Sequence, residues 1–228
     1  MDTSTDRPRA VLFDVDGTLV DTTYVHTIAW WQALREHGHL VPMAPIHRAI
    51  GLGSDKILDH LLGDHDNGQD DAITASHATL VAAWYQRFTP LPGARDLLKR
   101  CHDEGLTVVL STSADQRDHD ALRDALDAEA WIDEATTSED ADQSKPAPDI
   151  LTAALQRIGV RAQEAVFVGD AVWDVQAATR IGMPCIGLEC GGTSAAELRD
   201  AGAVAVWSDP ADLLAHWSQS PLHDRTPA

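Results

Sequence analysis

The sequence predicts an α/β protein built on a doubly wound parallel sheet, and three observations carry that expectation. Short apolar runs recur at 10–15 (AVLFDV), 106–110 (LTVVL), 165–169 (AVFVG), 184–188 (PCIGL) and 203–207 (AVAVW). Stretches with helical spacing of apolar residues lie between most of these runs, and strands alternating with helices imply parallel pairing through crossovers. A long interval from Thr22 to about Pro90 has no strand-like run. A connection from strand to helix takes about 2–6 residues, so this interval reads as an inserted helical unit.

Taken in order, AVLFDV is a buried strand that ends in acid and opens into a turn at Gly17. In the strandless interval, Val25, Ile28 and Ala29 lead to Gly38. Ile57, Leu58, Leu61 and Leu62 form a second helical pattern, and Ile73, Leu80, Val81, Trp84 and Tyr85 a third. Trp30, Trp31 and Trp84 are expected in the core of this unit, with one of them free to line a substrate entrance. Pro90-Leu91-Pro92-Gly93 reads as the hinge that returns the chain. Residues 94–104 place Ala94, Leu97, Leu98 and Cys101 on one face and stop at Gly105. Residues 148–159 open on Pro148 and close on Gly159, the usual punctuation of a helix. The expected division is a core of residues 1–21 and 91–228 carrying a helical unit of residues 22–90. The tail after Trp217 is expected to fray.

Composition narrows the functional classes. The chain of 228 residues is 44% hydrophobic and 23% charged, as folded globular proteins are. Its formal net charge of −19 repels phosphate backbones and anionic lipid, which argues against general binding to nucleic acid or a membrane surface. An anionic substrate would need local cations or a bound metal. The three cysteines are too few and too scattered for a disulfide framework. The first ten residues lack the apolar segment of a signal peptide, and no stretch approaches the roughly 18 apolar residues of a membrane span. A cytoplasmic protein is expected, with a monomer as the default and a dimer through the helical unit as the alternative.

The chemistry gathers at the ends of the apolar runs. In Asp14-Val15-Asp16-Gly17-Thr18 the two carboxylates fall on one side, because strand side chains alternate. Carboxylates this close raise each other's pKa unless a cation intervenes, which favours a hard divalent ion such as Mg²⁺. LTVVL runs into Ser111-Thr112-Ser113, whose hydroxyls and amides can donate to an anion. Lys145 precedes a helix in Ser144-Lys145-Pro146, and AVFVG runs into Asp170 and then Asp174. Ligands of open α/β sheets bind beyond the carboxyl ends of the strands, so these clusters converge on one place.

Together these elements resemble the haloacid dehalogenase-like hydrolase superfamily. The matching residues are Asp14-x-Asp16-Gly17-Thr18, Ser111, Lys145 and Gly169-Asp170-x-x-x-Asp174, in the family's order over about residues 10–190. The subfamily with a helical cap inserted after the first motif matches the interval from Thr22 to Pro90. The resemblance implies a Rossmann-like core, Mg²⁺ and an aspartyl-phosphate intermediate in the hydrolysis of a small phosphorylated metabolite, such as phosphoglycolate or a sugar phosphate. It implies Asp14 as nucleophile and Asp16 as general acid and base. The metal would be held by the Asp14 side chain, the Asp16 carbonyl and Asp170. Ser111, Thr112 and Lys145 would bind phosphoryl oxygens, with Asp174 orienting the metal shell or Lys145. Arg48 resembles a cap arginine that reaches a polar substrate group, and His26 matches a histidine ten residues after the second motif aspartate.

Two rivals share these motifs. A β-phosphoglucomutase would carry a cap lysine about thirteen residues before the returning proline, where this chain has Thr79. A catalytically silent binding or regulatory member would have little reason to retain Asp14, Asp16, Lys145 and Asp170. A true dehalogenase lacks the second aspartate of the first motif. Ala171 departs from the hydroxyl residue that usually follows Gly-Asp.

Overall fold

Every residue of β1 (Ala10–Phe13) is buried, because the strand lies inside a parallel sheet covered on both faces. The computed structural model describes residues 7–65 and 67–223; the first six residues, and the part of the expected frayed tail beyond His223, lie outside them. After β1 come four helices: α1 (Thr23–Glu36), α2 (Met43–Ala49), α3 (Ser54–Leu62) and α4 (Asp70–Ala82). The chain then alternates through α5 (Ala94–Asp103), β2 (Thr107–Ser111), α6 (Gln116–Leu126), β3 (Glu134–Thr136) and α7 (Asp149–Ile158). It finishes with β4 (Ala165–Gly169), α8 (Val172–Arg180), β5 (Cys185–Leu188), α9 (Ala195–Ala201), β6 (Ala205–Trp207) and α10 (Pro210–Ala215). None of these helices is long and apolar enough to cross a membrane.

All strand pairings are parallel, in the order β3-β2-β1-β4-β5-β6. The order reverses at β1, whose Phe13 pairs with Leu110 on one side and Val168 on the other. The carboxyl ends of β2, β1 and β4 therefore lie side by side, where such sheets bind ligands. Strand alternation sorts the core into two layers. Val11, Phe13, Val108, Leu110, Val166 and Val168 pack on one face with α5 and α10. Ala10, Leu12, Val109, Ala165 and Phe167 pack on the other with α7, α8 and α9.

The helices between β1 and α5 have an apolar cluster of their own, built on Trp30, Leu34, Ile46, Ile57, Leu58 and Ile73. The outgoing and returning chains run together at its base. Asp21 N–H donates to Thr89 O at 3.0 Å and Leu91 N–H to Leu19 O at 2.8 Å. Trp30 is buried in this cluster and Trp31 packs at its edge, whereas Trp84 is 41% exposed beneath the Arg87 guanidinium.

Some local features were not anticipated from sequence. β3 has only three residues, Glu-Ala-Thr, and no apolar run to mark it. In α2, Pro45 stands in the first turn, where its missing N–H removes no intrahelical bond. The expected fraying after Trp217 is corrected: Trp217, Ser220 and Leu222 are buried, and Leu222 and Trp217 join the same apolar layer as Leu97 and Leu213.

Candidate active site

Asp14 leaves β1 at the switch point, its N–H held by Val168 O at 2.9 Å. Its side chain is almost wholly buried, and Oδ1 accepts from Lys145 Nζ at 2.6 Å. Lys145 is 1% exposed and also lies 2.8 Å from Asp174 Oδ1, with its ammonium 5.5 Å from the Phe167 ring centroid. Asp174 is fully buried, and its second oxygen accepts from Ala171 N–H at 3.0 Å at the start of α8. The expected role of Asp174 beside Lys145 thus corresponds to a direct ion pair. Asp170 follows β4 and accepts from the Thr18 hydroxyl at 2.8 Å. A Cβ at residue 17 would stand 2.7 Å from Asp170 Oδ2, and Gly17 also adopts φ +75°, so the turn after the paired aspartates requires glycine twice over.

The electrostatics of this group are those of an anion cluster waiting for a cation. Burial, opposed by Lys145 and reinforced by Asp174 and Asp16, pushes the Asp14 carboxyl up to about 7. Burial together with the charges of Asp174 and Asp14 pushes Asp170 well above the usual carboxylate range. Burial by itself would lower Lys145, but the adjacent Asp14 and Asp174 carboxylates raise it and keep it an ammonium. Oxygens of Asp14, Asp170 and Asp174 all lie within 4.8 Å of one another. Hard oxygen donors that repel one another at this spacing fit a divalent ion, which would relieve the repulsion. Since Asp174 is already committed to Lys145 and the Ala171 amide, Asp14 and Asp170 are the carboxylates best able to hold it.

Asp16 is held differently. Its Oδ1 accepts from the Thr22 hydroxyl at 2.7 Å and faces His26 Nε2 at 3.2 Å. Burial would raise its pKa, but the His26 and Thr22 contacts and the positive charges of His26 and Lys145 outweigh that and hold it below the ordinary range. His26 shifts upward: burial opposes its charge, and Asp16 overcomes burial. On its other side, His26 Nδ1 lies 3.2 Å from Nε2 of His77, which stacks on Trp30 with ring centroids 4.0 Å apart.

A cavity of about 140 Å³ opens onto Asp14, Asp16, Lys145 and Asp170, with Thr112 and His26 in its wall. Ser111 does not line it. That side chain is fully buried and pairs with the Thr136 hydroxyl at 3.2 Å in the β2–β3 contact. The period-two alternation of β2 turns Ser111 into the sheet and Thr112 toward Asp16, whose Oδ2 lies 3.4 Å from the Thr112 hydroxyl. Of the two hydroxyl residues expected to bind phosphoryl oxygens, the structure brings Thr112 to the cavity and Ser111 to the Thr136 contact. Arg48 is also not brought to this cavity: its side chain is 72% exposed, 3.8 Å from Glu197, on a wider neighbouring groove of about 650 Å³. Trp173 lies on that outer groove too, donating to Arg48 O at 3.0 Å.

The sequence reading missed His77 and Ser54, which both line the cavity. Ile73, His77 and Val81 are the buried residues of α4 and stand four apart, a spacing that marks His77 as inward-facing. Gly51 lets the turn after α2 approach the start of α8. A Cβ there, at φ +97°, would sit 2.8 Å from Ala171 Cβ, so the small residue after Gly169-Asp170 is matched to a close contact across the cleft.

The sequence model of the haloacid dehalogenase-like hydrolases matches residues 8–182. A phosphoglycolate phosphatase of Pseudomonas fluorescens is 30% identical over 191 residues, covering 81% of this chain and 70% of that protein. A phosphoglycolate phosphatase of Rhodospirillum rubrum is 30% identical over 217 residues, covering 90% and 89%. Among solved structures, a hydrolase from Pseudomonas syringae superposes with a TM-score of 0.88 at 33% identity, covering 92% of this chain and 98% of its own.

Proposed function

The chain belongs to the haloacid dehalogenase-like hydrolases, and from that premise we propose that it is a Mg²⁺-dependent phosphatase hydrolysing a small phosphomonoester through an aspartyl-phosphate on Asp14. The observation that carries this reading is the buried Asp14 with one oxygen fixed by Lys145 at 2.6 Å and Asp16 beside it in the wall of the same cavity. The names of the phosphoglycolate phosphatases that it resembles support the phosphate class.

Asp14 Oδ2 attacks phosphorus while the bond to the leaving oxygen breaks, and Asp16, a carboxylate in the free protein, takes up the proton of the bound phosphomonoester monoanion and passes it to that oxygen. Asp16, now a carboxylate, takes a proton from water, whose oxygen attacks phosphorus and releases phosphate and the Asp14 carboxylate. General acid–base help of this kind contributes about 10²–10⁴ in rate. Thr22 and His26 hold Asp16 Oδ1, leaving Oδ2 on the Thr112 side for proton transfer. Lys145 orients Asp14 and offsets negative charge, and the Thr112 hydroxyl is placed to donate to a phosphoryl oxygen. Bound Mg²⁺, held by Asp14, Asp170 and the Asp16 carbonyl, would supply charge neutralisation between the nucleophile and the phosphoryl group. Residues 22–90 serve as a cap over residues 1–21 and 91–228, and its Trp30, Ile50 and Ile57 exclude water from the cavity.

The test is phosphate release from a panel of phosphorylated metabolites with Mg²⁺, with EDTA and with Asp14→Asn. Metal-dependent release that disappears in the variant supports the reading. Full turnover by correctly folded Asp14→Asn would overturn the nucleophile assignment.

A further inference from the structure

The cavity that faces Asp14 is short of positive charge. Among the described residues, its lining carboxylates are Asp14, Asp16, Asp115, Asp118 and Asp170, and its one lysine or arginine is Lys145. Lys145 is already engaged by Asp14 and Asp174. His26 is engaged by Asp16 and His77, and burial holds His77 neutral.

Every lysine and arginine of the cap interval is directed elsewhere. Arg35 lies over Trp31, Arg48 pairs with Glu197, Lys56 donates to Ser144 O and Arg87 donates to Ala83 O. None of the four lines the cavity.

What faces the cavity instead is apolar surface and groups that suit hydroxyls. Trp30, Ile50 and Ile57 supply the apolar wall. Ser54 and Thr74 can each donate or accept, whereas the carboxylates of Asp115, which caps α6 through Asp118 N–H, and of Asp118, which takes the Tyr85 hydroxyl, only accept. A hydroxyl donates as well as accepts and can satisfy both kinds. A carboxylate only accepts, so it would face Asp115 and Asp118, while the cations of the lining, Lys145 and His26, are already paired with Asp14, Asp174 and Asp16.

We propose, resting on the phosphomonoester reading above, that this enzyme takes small monophosphates of uncharged polyhydroxyl alcohols and discriminates against substrates whose leaving group carries a carboxylate or a second phosphate. The preference is thus opposite in charge to the glycolate named for the phosphatases that the chain resembles. It is built by the absence of a receiving cation and by two acceptor-only carboxylates on the core side of the cleft.

Two matched pairs test this, each differing only in a hydroxymethyl group against a carboxylate: 2-hydroxyethyl phosphate with 2-phosphoglycolate, and glycerol 3-phosphate with 3-phosphoglycerate. With Mg²⁺ present, kcat/KM is expected to be at least tenfold higher for the alcohol of each pair. Equal or reversed values alongside clear phosphate release would overturn the leaving-group assignment and leave the phosphatase reading standing. Calorimetric binding of the same four compounds to Mg²⁺-loaded Asp14→Asn gives a readout independent of turnover. Tighter binding of the alcohols by at least fivefold supports the proposal even if no compound is hydrolysed, in which case the phosphatase reading alone falls. Equal or tighter binding of the carboxylates overturns it.

Discussion

Replacing Asp14 with asparagine should stabilise the metal-free protein while abolishing its proposed chemistry, and the size of the gain follows from the buried cluster. The Asp14 carboxyl is raised from 3.8 to about 7. A raised pKa in the folded state means stability that is fully present below 3.8 and lost as pH rises toward 7, because the folded protein must ionise a group it prefers to keep neutral. At about 1.4 kcal/mol per pH unit, ionised Asp14 costs the folded state about 4 kcal/mol at pH 8 and roughly half that at pH 5.5. Asparagine does not titrate, and Lys145 keeps Asp174 at 2.8 Å as its partner, so no buried ammonium is stranded. For a chain of this length 1 kcal/mol moves Tm by about 2–4 °C. With the lost Lys145 hydrogen bond set against the gain, Asp14→Asn should melt about 3–10 °C above the parent at pH 8 in EDTA. The advantage should shrink toward pH 5.5, which still lies above the pI of about 4.7. Scanning calorimetry at pH 5.5, 7 and 8 measures it. A lower Tm for the variant at pH 8, or an offset that does not change with pH, would refute the account of Asp14 as a repelled, buried carboxylate.

Three further outcomes are expected. Lys145→Met leaves Asp14 and Asp174 without their counter-charge and should cost about 3–5 kcal/mol in urea unfolding at pH 8; its combination with Asp14→Asn should be less costly than the sum of the two, and strict additivity would show that the pair is not coupled. Because Asp14 and Asp170 both bind protons more readily than ordinary carboxylates, Mg²⁺ affinity measured by calorimetry should fall by up to about tenfold per unit as pH drops below 7, whereas a flat profile from pH 6 to 8 would place the ion elsewhere. Gly51→Ala forces a Cβ to within 2.8 Å of Ala171 at φ +97°, a strain of about 1–2 kcal/mol, and should lower Tm by about 2–8 °C and raise KM severalfold; unchanged kinetics would remove that contact from any part in substrate binding.

Three of the residues brought to the cavity were legible because each follows a buried apolar run. Asp14 after AVLF, Thr112 after TVVLS and Asp170 after AVFVG are the positions at which a parallel strand must leave the sheet, and the residues found there are ones that a packed core would not choose. The helical interval was legible for a related reason, since about seventy residues without a strand run cannot be a simple crossover. Ser111 and Thr112 show the limit of this approach. Both carry hydroxyls, they are adjacent, and period-two alternation sends one into the β2–β3 contact and the other to Asp16. Which one goes where depends on the register of β2 with β1, a long-range pairing that local sequence does not state.

The sequence by itself therefore determined the fold class, the family of chemistry and the carboxylate cluster, because apolar periodicity and costly charges at strand ends are properties of short segments. Only the tertiary structure decided what lines the cavity. Arg48 is a cation of the right interval, yet helix packing sends it to Glu197, while Ser54 from α3 and Thr74 and His77 from α4 turn inward beside Trp30. Such placement is the outcome of how α1 to α4 pack against one another and across the Gly51–Ala171 contact, and it fixes the charge of the cleft through distances between residues remote in the chain.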